Sequence, residues 1–160
     1  MNPHQTILLV DDSKDSLFFM RVAFKMAKSQ HPLQEARNGE EAIDYLKGEG
    51  PYGDRNLFPL PTVMLLDLNM PKKDGFDVLT WVRAQPGLKR LTIVILTASM
   101  RIEDVERAFD LGATSFLIKP LGLEELAAML RCLHEWIQIS QFPPLVEAGK
   151  KWAAVNSRPL

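Results

Sequence analysis

The chain has 160 residues, a formal net charge of -1 and a hydrophobic fraction of 46%. This length is enough for one buried core and short for two, and the balanced charge gives no general attraction to nucleic acid or to anionic lipid. With no apolar run near the roughly 18 residues of a membrane span, no signal-peptide pattern after Met1 and a single cysteine, Cys132, the sequence predicts a cytoplasmic protein that binds neither membranes nor nucleic acid.

Short aliphatic runs alternate with longer amphipathic stretches along the chain. Continuous apolar runs of about four residues are typical of buried strands in a parallel sheet. Four such runs predict strands at residues 7–10, 63–66, 93–96 and 116–118. A weaker run at residues 33–37 predicts a further strand, the second in chain order.

The stretches between these strands carry apolar residues at steps of three and four, which predicts helices. The predicted helices cover residues 13–28, 40–47, 76–84, 102–111 and 123–139. The fourth helix carries Ile102, Val105, Ala108 and Phe109 at helical spacing and stops at Gly112. Strands and helices alternate as (βα)₅, which predicts an α/β fold with a doubly wound parallel five-stranded sheet.

Two segments fall outside this alternation. Residues 48–61 contain too many glycines and prolines for a helix and are predicted to form an extended surface loop. Pro143 and Pro144 follow the last helix, and a short helix is predicted around residues 146–155. The residues after Pro144 are too few to bury a second core. We therefore expect one domain over 1–140 and a tail over 141–160, with no output domain.

Polar residues follow the carboxyl ends of four predicted strands. Asp11 and Asp12 follow the first strand, Asp67 the third, Thr97 the fourth and Lys119 the fifth. Ligands of parallel sheets bind at this edge, so we expect these side chains to meet in one crevice. Carboxylates, a hydroxyl and an ammonium are the groups needed to hold a divalent cation and to accept a phosphoryl group.

In residue type, order and spacing, these motifs resemble the receiver domain of bacterial two-component response regulators over about residues 6–139. The motifs are Val10-Asp11-Asp12, Asp67-Leu68-Asn69-Met70-Pro71 with Asp74-Gly75, Thr97-Ala98 and Lys119-Pro120. The resemblance implies the flavodoxin-like strand order 2-1-3-4-5. It also implies a signalling protein that gains and loses one phosphoryl group, not an enzyme that turns over a substrate.

The resemblance also implies an acceptor and a metal site. Asp67 would be the phosphoryl acceptor. Asp12, Asp67 and the backbone carbonyl of Asn69 would bind Mg²⁺ (or Mn²⁺) directly, and Asp11 would act through water. Asn69 and Ser99 occupy positions that in the family tune how long the phosphate survives.

Further residues would contact the phosphate and respond to it. Thr97, with Ala98, and Lys119 would bind phosphoryl oxygens. Phe116 takes the place of an aromatic ring that in the family turns inward behind the threonine. The family match also predicts a cis peptide bond before Pro120, which would aim the lysine.

The implied partners are a sensor histidine kinase, a histidine phosphotransfer protein or another downstream protein, and a second copy bound through helix four, strand five and helix five. The long loop, residues 71–75 and the apolar tail look similar to small regulators paired with bacterial phytochrome kinases. Two other functions stay open. A haloacid dehalogenase-type phosphohydrolase would carry Asp-x-Asp, whereas this chain has Asp67-Leu68-Asn69. A purely structural interaction domain would leave the acidic crevice unused.

Overall fold

A computed structural model describes residues 5–147, in which five strands alternate with five helices. The strands are β1 (Ile7–Val10), β2 (Leu33–Ala36), β3 (Val63–Leu66), β4 (Thr92–Thr97) and β5 (Ser115–Ile118). The helices are α1 (Lys14–Met26), α2 (Gly39–Lys47), α3 (Gly75–Ala84), α4 (Ile102–Asp110) and α5 (Leu123–Ile139). None of these helices is both long and apolar enough to cross a membrane.

The strands form one parallel sheet in the order β2-β1-β3-β4-β5, which confirms the predicted fold and strand order. Val10 pairs with Ala36 of β2 and with Leu66 of β3, and Thr97 pairs with Ile118 of β5. The strands therefore end at a common edge. The weak second run does form a strand, and it lies at the edge of the sheet.

Helices cover both faces of the sheet, and alternate strand residues face opposite cores because the side-chain period of a strand is two. On one face, Leu8, Met64 and Ile93 pack with residues of α2 and α3. On the other, Ile7 and Val63 pack with residues of α1 and α5. Burial on both faces explains why β1, β3 and β4 read as continuous apolar runs.

Side-chain caps fix where three helices begin. Ser13 accepts a hydrogen bond from the Ser16 amide at the start of α1, and Asn38 accepts one from the Glu41 amide at the start of α2. Asp74 forms a reciprocal capping box with residue 77 at the start of α3. Such caps stabilise a helix by about 1 kcal/mol each. The loops after β1 and β3 therefore have defined ends.

Helix α4 buries little of its apolar surface. Ala108 is buried, but Ile102 is 62% exposed and Phe109 is 49% exposed. Apolar periodicity shows which side chains share a helix face, but not whether another element covers that face. Here α4 packs beside β5, the edge strand, which leaves part of its apolar face open.

Residues 141–147, which we call the C-terminal strap, contain no helix or strand and fold back onto the domain. Phe142 meets Trp136 of α5 edge-on, with ring centroids 5.7 Å apart. Val146 is buried, and its amide donates a 2.9 Å hydrogen bond to the carbonyl of Gly87 before β4. The remainder of the predicted tail helix, residues 148–155, lies outside the described residues.

The loop between α2 and β3 is more ordered than the predicted surface loop. It contains a 3₁₀ turn at Gly50–Tyr52. Tyr52 and Phe58 pack around the ring of buried Tyr45, whose hydroxyl donates a 2.7 Å hydrogen bond to the Pro59 carbonyl. Burial raises the pKa of Tyr45, so this hydroxyl stays a donor throughout the physiological pH range.

Arg55 joins this loop to α2 and to the C-terminal strap. Its guanidinium donates to the carbonyl oxygens of Tyr45, Leu46 and Phe58 at 2.7, 2.9 and 3.1 Å. Its Nε also donates to the carboxylate of Glu147 at 2.8 Å. A cation at these carbonyls compensates the negative end of the α2 dipole. We call this cluster the Arg55 clasp.

Two histidine rings meet where the turn before β2 packs against α5. The ring centroids of His31 and His134 are 5.0 Å apart, and His31 is only 9% exposed. His31 Nε2 and His134 Nδ1 are buried and have no hydrogen-bond partner among residues 5–147. Burial first, and then the neighbouring His134, lower the pKa of His31 below its ordinary 6.5.

This histidine pair predicts a pH dependence of stability. Below about pH 6.5 the unfolded chain binds a proton at residue 31 that the folded chain takes up only at lower pH. The free energy of unfolding should therefore fall as pH decreases below that value and level off below the folded pKa. Urea unfolding between pH 5 and 8 measures this. His31→Gln should flatten that part of the profile, and an unchanged profile in the variant would refute the assignment.

Candidate functional site

The carboxyl edge of the sheet brings the predicted reactive residues together, and interstrand bonds hold their backbone. The Asp11 amide donates to the Ala36 carbonyl at 3.1 Å, and the Asp67 amide donates to the Val10 carbonyl at 3.0 Å. The Lys119 amide donates to the carbonyl of Thr97 at 2.8 Å. The backbone of each of these residues is therefore fixed by a hydrogen bond to a neighbouring strand.

Three carboxylates lie close enough to share one cation. One oxygen atom from each of Asp11, Asp12 and Asp67 lies within 4.8 Å of the others. Asp11 and Asp67 are buried, whereas Asp12 and the nearby Asn69 are exposed. Mg²⁺ prefers oxygen ligands and keeps several waters, so a cluster with one open side fits a hydrated ion of this kind.

Lys119 lies against two of these carboxylates. Its ammonium contacts Asp11 Oδ2 at 2.5 Å and Asp67 Oδ2 at 3.4 Å. Asp11 also accepts hydrogen bonds from the Ser13 amide at 3.0 Å and from the Ser16 hydroxyl at 2.6 Å. The contact with Ser16 was not predicted from the sequence. A hydroxyl residue in the first turn of the helix that follows an aspartate pair is the pattern that indicates it.

The predicted cis bond before Pro120 is wrong, because residues 5–147 contain no cis peptide bond. A trans bond before proline is favoured by about 0.5–1 kcal/mol. With the trans bond, the ammonium of Lys119 already reaches both carboxylates. The position of the lysine therefore does not require the rarer isomer.

The side chain of Thr97, the last residue of β4, is hydrogen-bonded to the β4–α4 loop in this structure. It is fully buried and accepts a 3.4 Å hydrogen bond from the Ser99 amide. Within the described residues no hydrogen bond joins it to Asp67, and Ala98 beside it is exposed. Ser99 in turn donates from its hydroxyl to Asp104 Oδ2 at 2.5 Å. Of the predicted phosphate ligands, Lys119 therefore contacts the acidic cluster, whereas Thr97 is connected through Ser99 to α4.

Phe116 lies in β5, the strand next to β4. It pairs with Ile95 in the sheet register, and its half-buried side chain packs against the core beneath α2 and α3. Nearby, the guanidinium of Arg107 stands 4.1 Å from the ring centroid of Phe76, which links α4 to α3. The inward turn of Phe116 upon phosphorylation stays a prediction.

Gly75 explains the Asp74-Gly75 part of the motif. Its amide donates to the Leu68 carbonyl at 3.0 Å, at the start of α3. A Cβ atom at this position would overlap the carbonyl oxygen of Asp67 and stand 2.8 Å from the Cα of Leu68. Only glycine lets the start of α3 lie this close to the backbone of Asp67, the predicted acceptor.

Comparison with known proteins agrees with this geometry. The family model for the response regulator receiver domain matches residues 7–131. Response regulator Rcp1 of Synechocystis sp. is 35% identical over 143 residues, which cover 89% of this chain and 95% of that protein.

Solved structures give similar overlaps. The phosphorylated cyanobacterial phytochrome response regulator RcpA superposes with a TM-score of 0.80 at 32% identity, covering 88% of this chain and 99% of that chain. The Mn²⁺-bound form of Rcp1 superposes with a TM-score of 0.76 at 34% identity, covering 87% of this chain and 99% of that chain. The similarity thus extends over nearly the full length of these relatives.

Proposed function

From the premise that the chain belongs to the response regulator receiver domain family of two-component signalling, we propose that it is a response regulator phosphorylated on Asp67. The observation that carries this proposal is the convergence of Asp11, Asp12 and Asp67 with the ammonium of Lys119 at one sheet edge. Membership of this family removes the alternative of a haloacid dehalogenase-type phosphohydrolase.

The residues at this edge fit a divalent cation, Mg²⁺ or Mn²⁺. Asp12, Asp67 and the carbonyl of Asn69 would hold it directly, and Asp11 would do so through water. The clustered carboxylate oxygens and the Mn²⁺-bound form of the relative Rcp1 support this assignment. When bound, the cation supplies positive charge that neutralises the phosphoryl oxygens.

In the proposed transfer, a carboxylate oxygen of Asp67 attacks the phosphorus of a kinase phosphohistidine. A P–O bond forms while the P–N bond breaks, and the imidazole nitrogen keeps the electron pair and is reprotonated from solvent. The ammonium of Lys119 pairs with one phosphoryl oxygen. The hydroxyl of Thr97 and the exposed backbone at Ala98 bind the others. Positioning and charge neutralisation carry most of such a reaction.

Intact-protein mass spectrometry after treatment with acetyl phosphate tests this function. We expect one phosphate adduct that depends on Mg²⁺ and is lost when EDTA is present before the donor. Acetyl phosphate can replace the kinase because the receiver supplies the transfer chemistry. The absence of an adduct, together with no binding of the stable mimic beryllofluoride, would mean that the acidic crevice is unused and that the chain is an interaction domain.

The partners follow from the same proposal. A sensor histidine kinase, of the phytochrome type by similarity to RcpA, would donate the phosphoryl group in the cytoplasm. A histidine phosphotransfer protein, another downstream protein or a second copy would read the result. We propose no contact with nucleic acid or membrane. The reading surface would be the face formed by α4, β5 and α5, which exposes Ile102, Phe109, Ile118 and Trp136.

We expect this α4–β5–α5 face to mediate self-association, because exposed apolar side chains in one patch favour burial against a partner. Phe109→Asp should weaken the dimer by about tenfold or more, since buried aromatic residues dominate such contacts. Phe18→Asp on α1 is a matched control, because that ring is 65% exposed on a different helix. A sedimentation result showing monomers at high concentration, with and without beryllofluoride, would contradict the prediction.

A further inference from the structure

A relay of hydrogen bonds runs from Thr97 to the first turn of α4. The Ser99 amide donates to Thr97 Oγ1 at 3.4 Å, and the Ser99 hydroxyl donates to Asp104 Oδ2 at 2.5 Å. The Ser99 hydroxyl also accepts from the Arg101 amide at 3.3 Å. Ser99 therefore connects the buried threonine to both the loop and the helix.

This relay matters because α4 is lightly anchored. Its N-cap residue, Arg101, provides no side-chain cap, and Ala108 is the residue of α4 that is fully buried. The ion pair of Arg101 with Glu103 spans 3.9 Å between exposed side chains, and such pairs contribute little. The bond between Ser99 and Asp104 is half-buried and involves a carboxylate, so it is the stronger restraint on this end of the helix.

Phosphate binding and the relay both use the side chain of Thr97. Among the described residues Thr97 makes no hydrogen bond to Asp67, so its side chain must turn for the hydroxyl to donate to a phosphoryl oxygen there, and this movement breaks the 3.4 Å hydrogen bond from the Ser99 amide. The β4–α4 loop must rearrange to give that amide a new acceptor, because an unpaired buried donor is costly. The bond from Ser99 to Asp104 opposes this rearrangement.

We propose that the hydrogen bond between Asp104 and Ser99 is a latch for the unphosphorylated state. Asp104 is then a positioning residue, which acts through Ser99 on Thr97 and lowers the affinity of the site for a phosphoryl group. The inference rests on the function proposed above. The hydrogen bond stabilises the unphosphorylated conformation alone, so it shifts the equilibrium away from the conformation that binds phosphate. Removing this bond should therefore raise the apparent affinity for a phosphate mimic.

Calorimetric titration of the full chain with beryllofluoride and Mg²⁺ tests the latch. Asp104→Ala should tighten binding about fivefold, a shift expected from loss of one charge-assisted hydrogen bond that is partly exposed. Glu103→Ala is the matched control, because it removes an exposed carboxylate from the same helix turn and should leave affinity unchanged. Ser99→Ala should reproduce the effect of Asp104→Ala, because it removes the other partner of the same hydrogen bond.

The direction of the change separates a latch from a merely structural contact. A variant that only loosened the fold would bind the mimic more weakly, whereas release of a latch strengthens binding. The double variant Ser99→Ala/Asp104→Ala should bind no more tightly than either single variant, since both remove one bond. Unchanged or weaker binding in both single variants would overturn the latch. Wild-type protein that binds no mimic would instead overturn the proposed function.

Discussion

Asp67→Asn is expected to abolish the magnesium-dependent phosphate adduct completely. The asparagine amide nitrogen is a poor nucleophile, and the neutral side chain also removes one of the clustered carboxylates that would hold the cation. The fold should survive, because asparagine has nearly the same shape as aspartate and Lys119 keeps its contact with Asp11. Intact-mass spectrometry measures the adduct, and thermal unfolding measures the fold.

The control for this variant is Asp110→Asn, which makes the same chemical change at an exposed position at the end of α4. It should be labelled like the wild type. An aspartyl phosphate is also labile to base and to hydroxylamine, whereas a phosphate ester of a hydroxyl is stable to acid. An acid-stable adduct that persists in Asp67→Asn would refute the assignment of the acceptor.

The second large effect is expected for Arg55→Ala, which removes the Arg55 clasp. The carbonyls of Leu46 and Phe58 lose a charged donor, and the strap loses its ion pair at Glu147. These carbonyls are partly buried, so water cannot fully replace the lost donor. The free energy of unfolding should therefore fall by about 3 kcal/mol. For a chain of this size that corresponds to a melting temperature lower by about 10 °C. Differential scanning calorimetry measures both quantities.

Two further changes separate the parts of this effect. Arg55→Lys keeps the charge but lacks the planar fork, so it should recover only part of the lost stability. Glu147→Gln tests the strap alone and should cost less than Arg55→Ala, because the three carbonyl bonds stay in place. Arg131→Ala, on an exposed face of α5, is the matched control. A melting temperature for Arg55→Ala equal to that of the control would rule out a stabilising clasp.

The sheet and the grouping of the acidic residues could be predicted because both depend on local patterns. Each buried strand reads as an aliphatic run, and a parallel sheet places the ends of such runs at one edge. Asp11, Asp12, Asp67 and Lys119 accordingly lie together. The chemistry assigned to them was implied by family resemblance and awaits the labelling experiments.

Other features depend on contacts that no local pattern encodes. Arg55 and Glu147 are 92 positions apart in sequence, so neither the clasp nor the strap has a periodic signal. Ile102, Ala108 and Phe109 lie at helical spacing, yet of these three Ala108 alone is buried, because coverage of a helix face depends on the whole sheet. The peptide bond before Pro120 was assigned by analogy, and its isomer depends on the surrounding contacts.

The interstrand hydrogen bonds at Asp11, Asp67 and Lys119 also determine which motions leave the geometry of the site unchanged. The amides of Asp11, Asp67 and Lys119 can exchange with solvent only if neighbouring strands part, an opening that approaches global unfolding. Ala108 is the fully buried residue of α4, so this helix can fray while exposing little of the core. If α4 responds to phosphorylation as proposed, local unfolding of this helix would transmit the signal while the sheet edge keeps its register and its capacity to accept the next phosphoryl group.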